Sequence, residues 1–293
     1  MPLLKDKKYY SILAEMRPEC KGESKSGNCY NLRMAELDLK KVLEFTEQLI
    51  LKEGDYLMRN WHDAGKLDFH DAIDFSTKHD CDIEERYFQA LKKEFPAHAF
   101  WGEEDASKRD TNNDYIWYAD PIDGTKYFAR TVPMFTTLLA LTYKAEPVVG
   151  VVYDPVSKQL FSAAKGLGTK LNGKEIKVND QRPLKDQIMS LEIGEEDTDW
   201  EDKKLLELKK RCGRIRIMGN ASLSICWSVL GSLGGYVDLF GMADHDKKQD
   251  LQAPFLIASE AGMVVEEFKL GNKTKCICVL PHLAEELKQI ILD

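Results

Sequence analysis

The chain has 293 residues, of which 43% are hydrophobic and 31% are charged, and its formal net charge is −8 at pH 7. This length and apolar content suffice for one large domain or two closely joined ones, and they exclude an intrinsically disordered chain. The acidic balance argues against a protein that binds nucleic-acid polymers through a basic surface.

The sequence contains no apolar run long enough to span a bilayer. Its first twenty residues lack the apolar core and the cleavage pattern of a signal peptide. We therefore expect a cytoplasmic protein without a membrane partner.

Seven cysteines with irregular spacing suit a reducing compartment better than a disulfide framework. A zinc site would require paired C-x-x-C motifs, whereas Cys276 and Cys278 are separated by one residue within an apolar run. We interpret these two residues as core thiols.

The first part of the chain is predicted to be helical after an N-terminal extension. The extension covers residues 1–33, and its polar stretch 18–29 is typical of a flexible connection. Apolar residues at helical spacing predict one helix from about 34 to 61 and a second from about 82 to 95.

Strand patterns follow in the middle of the chain. The runs HAFWGEE and YIWYAD both end in acids, and three apolar runs between residues 135 and 164 are separated by turn residues. Such a series is typical of an antiparallel meander. An Asn-Gly pair at 172–173 predicts a tight hairpin.

Strands and helices alternate after Pro183. RIRIMGN, YVDLF and TKCICVL read as strands, whereas ASLSICWSVLGSLGG, LQAPFLIASEAG and LAEELKQIIL read as helices. The sequence thus predicts a mixed α/β fold, with one subdomain over residues 34–183 and a second over residues 184–293.

Five acids occupy positions where α/β folds usually build their sites, at the carboxyl ends of strands or beside them. Glu103 and Glu104 end one predicted strand, Asp120 ends the next, Asp123 lies in the turn after it, and Asp250 precedes a helix. Any one of them, taken alone, is as well explained by a solvated surface position.

The motif DPIDGT (120–125) is more informative. Pro121 cannot donate to a ladder, so the strand is expected to turn there, and Asp123 can cap a following helix. Gly124 permits close approach of a ligand, and the amides of Gly124 and Thr125 then favour an anion. The alternative is a capped turn without a ligand.

Carboxylates that face one another resist joint ionisation unless a cation lies between them. An anion site beside a divalent cation is typical of phosphoryl transfer. Because the candidate donors are all oxygens, the pattern indicates Mg²⁺ or Mn²⁺ rather than zinc.

Four motifs, in this order, resemble the inositol monophosphatase-like family of Mg²⁺-dependent, lithium-sensitive phosphomonoesterases. They are DFSTKHD (74–80), WGEED (101–105), DPIDGT (120–125) and QDLQAPFLIASEAG (249–262). The resemblance covers about residues 34–290. It implies a layered α/β/α/β/α sandwich of the inositol monophosphatase/fructose bisphosphatase type and a homodimer.

The resemblance also implies two or three Mg²⁺ ions. Glu103, Asp120 and the backbone carbonyl of Ile122 would bind the first ion. Asp120, Asp123 and Asp250 would bind the second, and Glu103 with water would bind a third.

The implied mechanism is in-line attack of a metal-activated water on a phosphate monoester. Thr125, paired with Asp80, would orient and deprotonate that water. Glu104 would either support the metal ligands without contacting the ion or be an auxiliary acid. The amides of Gly124 and Thr125 would bind the phosphate.

Substrate contacts are expected from Asn220, Ala221, Lys126 and Lys247. The inositol enzymes carry Glu at the position of Ala243, so myo-inositol monophosphate is not favoured as the specific substrate. The expected partner is a small phosphorylated metabolite, an inositol monophosphate or a sugar phosphate. Fructose-1,6-bisphosphate and a 3′(2′),5′-bisphosphate nucleotide are the alternatives.

Two other readings are open. Lys126, Tyr127 and Pro254 depart from the family pattern. Tyr127 and Pro254 allow a catalytically degenerate relative that binds metal or a partner without turnover. Pro254 is expected in the first turn of its helix, where proline is tolerated. Haloacid-dehalogenase phosphatases use D-x-D-x-T, in which the acids are two positions apart. The spacing here is three, with Pro121 between the acids, and this disfavours that class.

Overall fold

A computed structural model describes residues 37–65, 67–69, 75–194, 199–241 and 249–292. The predicted N-terminal extension (1–33) lies outside these residues. Leu39–Asp293 form one compact unit. The division into subdomains over 34–183 and 184–293 stays a prediction.

The described part of the chain contains seven α-helices. They are α1 (Leu39–Asn60), α2 (Lys78–Glu94), α3 (Thr125–Ala129), α4 (Asp199–Arg211), α5 (Ala221–Val229), α6 (Gln249–Glu260) and α7 (Ala284–Leu292). None of these helices combines the length and the hydropathy that a membrane-spanning segment needs.

Fourteen strands are assigned within the same described ranges. They are β1 (Leu67–Phe69), β2 (Phe75–Thr77), β3 (Ala99–Gly102), β4 (Tyr115–Asp123), β5 (Thr136–Tyr143), β6 (Glu146–Asp154), β7 (Gln159–Ala164), β8 (Thr169–Leu171), β9 (Lys174–Ile176), β10 (Ile188–Glu192), β11 (Arg214–Ile217), β12 (Gly235–Asp238), β13 (Val264–Leu270) and β14 (Lys273–Val279).

A seven-stranded sheet has the order β3-β4-β5-β6-β7-β8-β9. Strands β3 and β4 are parallel, and each later pair is antiparallel. The predicted meander is therefore confirmed. So is the hairpin, because Asn172 and Gly173 join β8 to β9 with φ of 49° and 78°, as a type I′ turn requires.

A five-stranded sheet has the order β11-β10-β12-β14-β13. Strand β10 runs parallel to β11 and β12, whereas β14 is antiparallel to β12 and β13. The strands and helices predicted after Pro183 are all present. The sequence reading missed β10, α4 and β13, whose patterns are short or strongly charged.

Alternation along β7 places helices on both faces of the seven-stranded sheet. Phe161 and Ala163 belong to a buried cluster with residues of α5 and α6. The hydroxyl of Ser162, between them, donates to Glu47 of α1 at 2.5 Å. Because successive strand residues point to opposite faces, α1 covers one face and α5 and α6 cover the other.

Strand β14 alternates in the same way. Cys276 and Cys278 are fully buried free thiols in the cluster with α5 and α6, as interpreted from the sequence. Ile277 and Val279 pack in a second cluster that includes residues of α4 and α7. The layers alternate helix, sheet, helix, sheet and helix, so the predicted α/β/α/β/α sandwich is confirmed.

The first two predicted helices are confirmed with changed ends. Helix α2 begins at Lys78, before the predicted start at about 82, because Thr77 and Asp80 form a capping box. The backbone N–H of Thr77 donates to Asp80 at 2.7 Å, and the Thr77 side chain accepts from the N–H of His79 at 3.1 Å. Capping therefore puts Asp80 in the first turn, where it is buried.

One histidine of this fold gives a pH-dependent stability. Burial lowers the pKa of His98 to about 4 from its ordinary 6.5, and its Nδ1 accepts from the Trp117 indole N–H at 3.1 Å. The neutral ring is thus favoured in the folded state. Its stabilisation is complete above pH 6.5 and is lost as the pH falls to about 4.

We expect His98→Gln, which does not titrate, to lower the melting temperature at pH 7 more than at pH 4.5. Other groups titrate alike in both proteins, so calorimetry of wild type and variant at both pH values isolates the histidine. An equal difference at the two pH values would contradict this pKa assignment.

Candidate metal centre

Strand β4 extends past Pro121 and ends at Asp123, within the DPIDGT motif, whereas the prediction had the strand turn at Pro121. Asp120 pairs with Leu138 and Asp123 pairs with Thr136, and the register shifts between these pairs. A bulge accommodates a proline that cannot donate to the ladder. The two aspartates therefore lie at the end of one strand, on either side of the bulge.

Gly124, and not Asp123 as predicted, is the N-cap residue of α3. It has a left-handed backbone, with φ 93° and ψ 37°, and no side chain caps this helix. A Cβ here would lie 2.7 Å from the carbonyl oxygen of Met134 and 3.0 Å from Nδ2 of Asn220. Both backbone conformation and close packing therefore require glycine.

We expect Gly124→Ala to destabilise the protein more than Gly166→Ala. Both glycines have positive φ, 93° and 77°, so both substitutions cost about 1 kcal/mol of backbone strain. No described atom lies within 4 Å of a Cβ at Gly166, whereas overpacking at Gly124 adds about 1–3 kcal/mol. Urea denaturation measures both variants, and equal losses would contradict the packing argument.

Glu103, Asp120 and Asp250 form the candidate metal centre. One carboxylate oxygen from each lies within 4.8 Å of those of the other two, and no other acidic group of this kind occurs among the described residues. Oδ1 of Asp120 is buried without a hydrogen-bond partner in the described part of the chain. A divalent cation fits this donor set, because Mg²⁺ and Mn²⁺ prefer carboxylate oxygens.

The electrostatics of this group also favour a cation. Glu103 is exposed as a residue, but desolvation of its carboxylate, together with the charges of Asp250 and Glu104, raises its pKa well above the ordinary value. Burial, reinforced by Glu103 and Asp250, likewise raises the pKa of Asp120. Three carboxylates this close together resist joint ionisation unless a cation lies between them.

Asp123 lies beside this group and is held by α5. Its Oδ2 accepts hydrogen bonds from the hydroxyl and the backbone N–H of Ser222, with the hydroxyl of Thr136 at 3.4 Å. Burial raises its pKa, and the hydrogen bonds from Ser222 oppose the shift. Its role as a ligand of a second ion stays a prediction.

Asp80 and Thr125 are in contact, as their predicted pairing requires. Thr125 Oγ1 lies 3.1 Å from Asp80 Oδ1 and 2.8 Å from the carbonyl oxygen of Ile122. Oδ2 of Asp80 accepts from the hydroxyl of Thr77 at 2.6 Å, so Oδ1 is the oxygen that faces Thr125. Burial raises the pKa of Asp80 to about 6.

Two side chains, those of Trp101 and Glu84, hold the backbone next to Asp250 and Glu103, and neither was predicted from the sequence. The indole N–H of Trp101 donates to Oε1 of Gln249, which precedes Asp250. The carboxylate of Glu84 accepts the backbone N–H of Glu104. Glu84 lies one helical turn after Asp80, so both acids lie on the same face of α2. This spacing is the sequence feature that could have identified Glu84.

Pro254 is the sixth residue of α6 and not part of its first turn, contrary to the prediction. Having no N–H, it cannot give the carbonyl of Asp250 the usual helical hydrogen bond.

Tyr127 is a second departure from the family pattern. Its hydroxyl donates to the carbonyl of Met218. This hydrogen bond thus links α3 to the segment that leads into α5.

The residues predicted to touch substrate differ in position. Asn220 is buried, caps α5 through a bond from the N–H of Leu223, and donates to the carbonyl of Asp123 at 2.9 Å. Ala221 is also buried, and Lys126 is exposed. Lys247 lies outside the described residues. Their contacts with substrate stay predictions, and the bonds of Asn220 indicate a positioning role.

Comparison with known proteins gives one consistent result. The sequence profile described as "Inositol monophosphatase family" matches residues 38–290. The chain is 29% identical over 259 residues to inositol monophosphatase 1 of Solanum lycopersicum, covering 84% of this chain and 93% of the relative. It is 31% identical over 276 residues to Nus factor SuhB of Pseudomonas aeruginosa, covering 86% of this chain and 100% of the relative.

The fold is similar to that of solved structures with the same architecture. An IMPase of Thermotoga maritima superposes with a TM-score of 0.75 at 26% identity. The match covers 86% of this chain and 97% of that chain.

Proposed function

Because this chain belongs to the inositol monophosphatase family, we propose that it is a divalent-cation-dependent phosphatase that hydrolyses a small phosphate monoester. The observation that carries this proposal is the convergence of Glu103, Asp120 and Asp250 within 4.8 Å of one another. The buried oxygen of Asp120 among them supports the same conclusion.

Mg²⁺ is the proposed cofactor, and Glu103, Asp120 and Asp250 would hold it, with Asp123 and the Ile122 carbonyl as further donors. When bound, divalent cations lower the pKa of an attacking water and stabilise charge on the phosphoryl oxygens and the leaving group. The number of ions, two or three, is inferred from the family resemblance.

Thr125 and Asp80 would move the proton of the attacking water. The single hydroxyl proton of Thr125 can be donated to Asp80 Oδ1, 3.1 Å away, which leaves the hydroxyl oxygen to accept a hydrogen bond from water. The water proton then passes to Thr125 as the hydroxyl proton passes to Asp80. Burial raises the pKa of Asp80 to about 6, which suits a general base near neutral pH.

The amides of Gly124 and Thr125 would bind the phosphate as negative charge develops on it. The left-handed backbone at Gly124 supports this role, because it lets the chain turn without a side chain over the amides. Lys126, which is exposed, would contact the substrate at the rim. Asn220 would position Asp123 through the hydrogen bond to its backbone carbonyl.

The proposed substrates are inositol monophosphates and sugar phosphates. Fructose-1,6-bisphosphate and bisphosphate nucleotides are the alternatives within the family. Inhibition by Li⁺ and assembly as a homodimer belong to the same proposal, and both rest on the resemblance.

The test is phosphate release from a panel of inositol, sugar and nucleotide phosphates with Mg²⁺. We expect at least one substrate to be hydrolysed well above the background of the Asp123→Asn variant. If wild type and this variant are indistinguishable on every substrate, the degenerate relative becomes the correct interpretation.

A further inference from the structure

Glu84 on α2 is fully buried, and its carboxylate serves the segment that follows β3. Oε2 accepts the backbone N–H of Glu104 at 2.7 Å, and Oε1 accepts the backbone N–H of Asp105 at 2.9 Å. Both oxygens are therefore used by two consecutive amides, directly after Glu103. This pairing fixes the direction in which the chain leaves the metal centre.

Gly102 allows this close approach. A Cβ at position 102 would overlap the carboxylate of Glu84. Gly102 does not have the positive φ that often explains a glycine. Space for the Glu84 carboxylate is thus the structural reason for glycine just before Glu103.

Arg109 holds the same segment from its carbonyl side. Its Nε donates to the carbonyl of Gly102 at 3.0 Å, and its Nη2 donates to the carbonyl of Glu103 at 2.6 Å. The Glu84 carboxylate thus accepts the two N–H groups that follow Glu103, and the Arg109 guanidinium donates to the carbonyls of Gly102 and Glu103. Together these bonds fix the peptide planes on both sides of Glu103.

A buried carboxylate is costly unless hydrogen bonds or a cation compensate for its desolvation. Glu84 forms an ion pair with Lys108, but the Nζ of Lys108 lies 4.0 Å from Oε1, beyond hydrogen-bond distance. The two amides after Glu103 are therefore its direct hydrogen-bond partners. Burial of Glu84 and placement of Glu103 are energetically linked.

We propose that Glu84 is a positioning residue that directs the Glu103 carboxylate toward Asp120 and Asp250 and thereby sets the affinity for the divalent cation. The proposal rests on the metal site of the proposed function and adds a residue that does not itself ligate. Outer residues that orient ligands typically change metal affinity by about 10–100-fold when replaced.

The test is isothermal titration of Mg²⁺ into purified, substrate-free wild type and Glu84→Gln. Gln keeps the size of the side chain but offers one acceptor oxygen, so one of the two amides loses its partner. We expect the dissociation constant for Mg²⁺ to rise about tenfold or more, while circular dichroism shows a folded protein.

The matched control is Glu53→Gln. Glu53 is also fully buried, but it lies on α1, and its carboxylate accepts from the side chain of Arg86 at 3.0 Å rather than from an amide of the segment after Glu103. This variant should lose stability, because it removes the charge of the buried partner of an ion pair, and it should bind Mg²⁺ with the affinity of wild type. If the loss of any buried charge weakens Mg²⁺ binding, both variants will lose affinity equally. That result would overturn the proposal.

Gly102→Ala provides a second variant that does not depend on the folding of Glu84→Gln. Its methyl group displaces the Glu84 carboxylate, so we expect a similar loss of Mg²⁺ affinity. Unchanged affinity in the folded Glu84 or Gly102 variant overturns the positioning role. If wild type itself binds no Mg²⁺, the proposed function fails, and that result is distinct from failure of this inference.

Discussion

Asp120→Asn should lower phosphate release by about a thousandfold or more, equivalent to about 4 kcal/mol of lost transition-state stabilisation. Asp120 contributes a buried oxygen to the group with Glu103 and Asp250. Asn removes the charge and replaces one carboxylate oxygen with an NH₂ group, which cannot ligate a cation.

Glu104→Gln is the matched comparison for this substitution. Glu104 neighbours Glu103 in the chain, but its carboxylate is not a member of the group of three. We expect a loss of about a hundredfold or less, the lower end of what a residue that acts through a proton contributes, because Glu104 is an auxiliary group and not a ligand. Steady-state kinetics at saturating Mg²⁺ measure both variants, and equal losses would contradict the roles assigned to these two acids.

Removal of divalent cations should abolish activity and lower thermal stability together. Desolvation, together with the charges of neighbouring acids that include Asp250, raises the pKa of Glu103 and of Asp120, and a bound cation offsets this accumulation of negative charge. Ligand binding to the folded state stabilises it by about 2.7 kcal/mol at a concentration one hundred times the dissociation constant. Dialysis against chelator, followed by assay and calorimetry with and without Mg²⁺, measures both effects.

Asp120→Asn controls for non-specific effects of the ion. Its melting temperature should rise less on addition of Mg²⁺ than that of wild type, because one carboxylate of the centre is missing. Full phosphatase activity in excess chelator would exclude the metal mechanism. An equal thermal shift in both proteins would show that the ion binds elsewhere.

Local sequence patterns predicted those parts of the fold that depend on neighbours along the chain. The stripe of α1, the meander and the Asn-Gly hairpin follow from periodicities of 3.6 and 2 and from turn chemistry. The start of α2 was wrong because the predicted helix rested on its apolar face, and the capping box of Thr77 and Asp80 was overlooked. Strand β4 was predicted too short because Pro121 was taken to end the strand, although a bulge accommodates it.

The acids of the candidate metal centre were identifiable from sequence, because carboxylates at strand ends and the DPIDGT motif restrict the chemistry to oxygen ligands. Their partners were not. Glu84 receives the amides after Glu103, Ser222 holds Asp123, and Trp101 contacts Gln249. Each of these contacts joins segments far apart in the chain.

The sequence alone determined which atoms can bind a cation, since ligand chemistry belongs to residue type and short motifs. Only the tertiary structure decided how those atoms are held. The packing of α2, α5 and α6 against the sheet brings donors and acceptors together, and hydrogen bonds require distances and angles that no local pattern encodes. The difference is clearest at Glu84, which looks like one more helical acid until its two amide partners are seen.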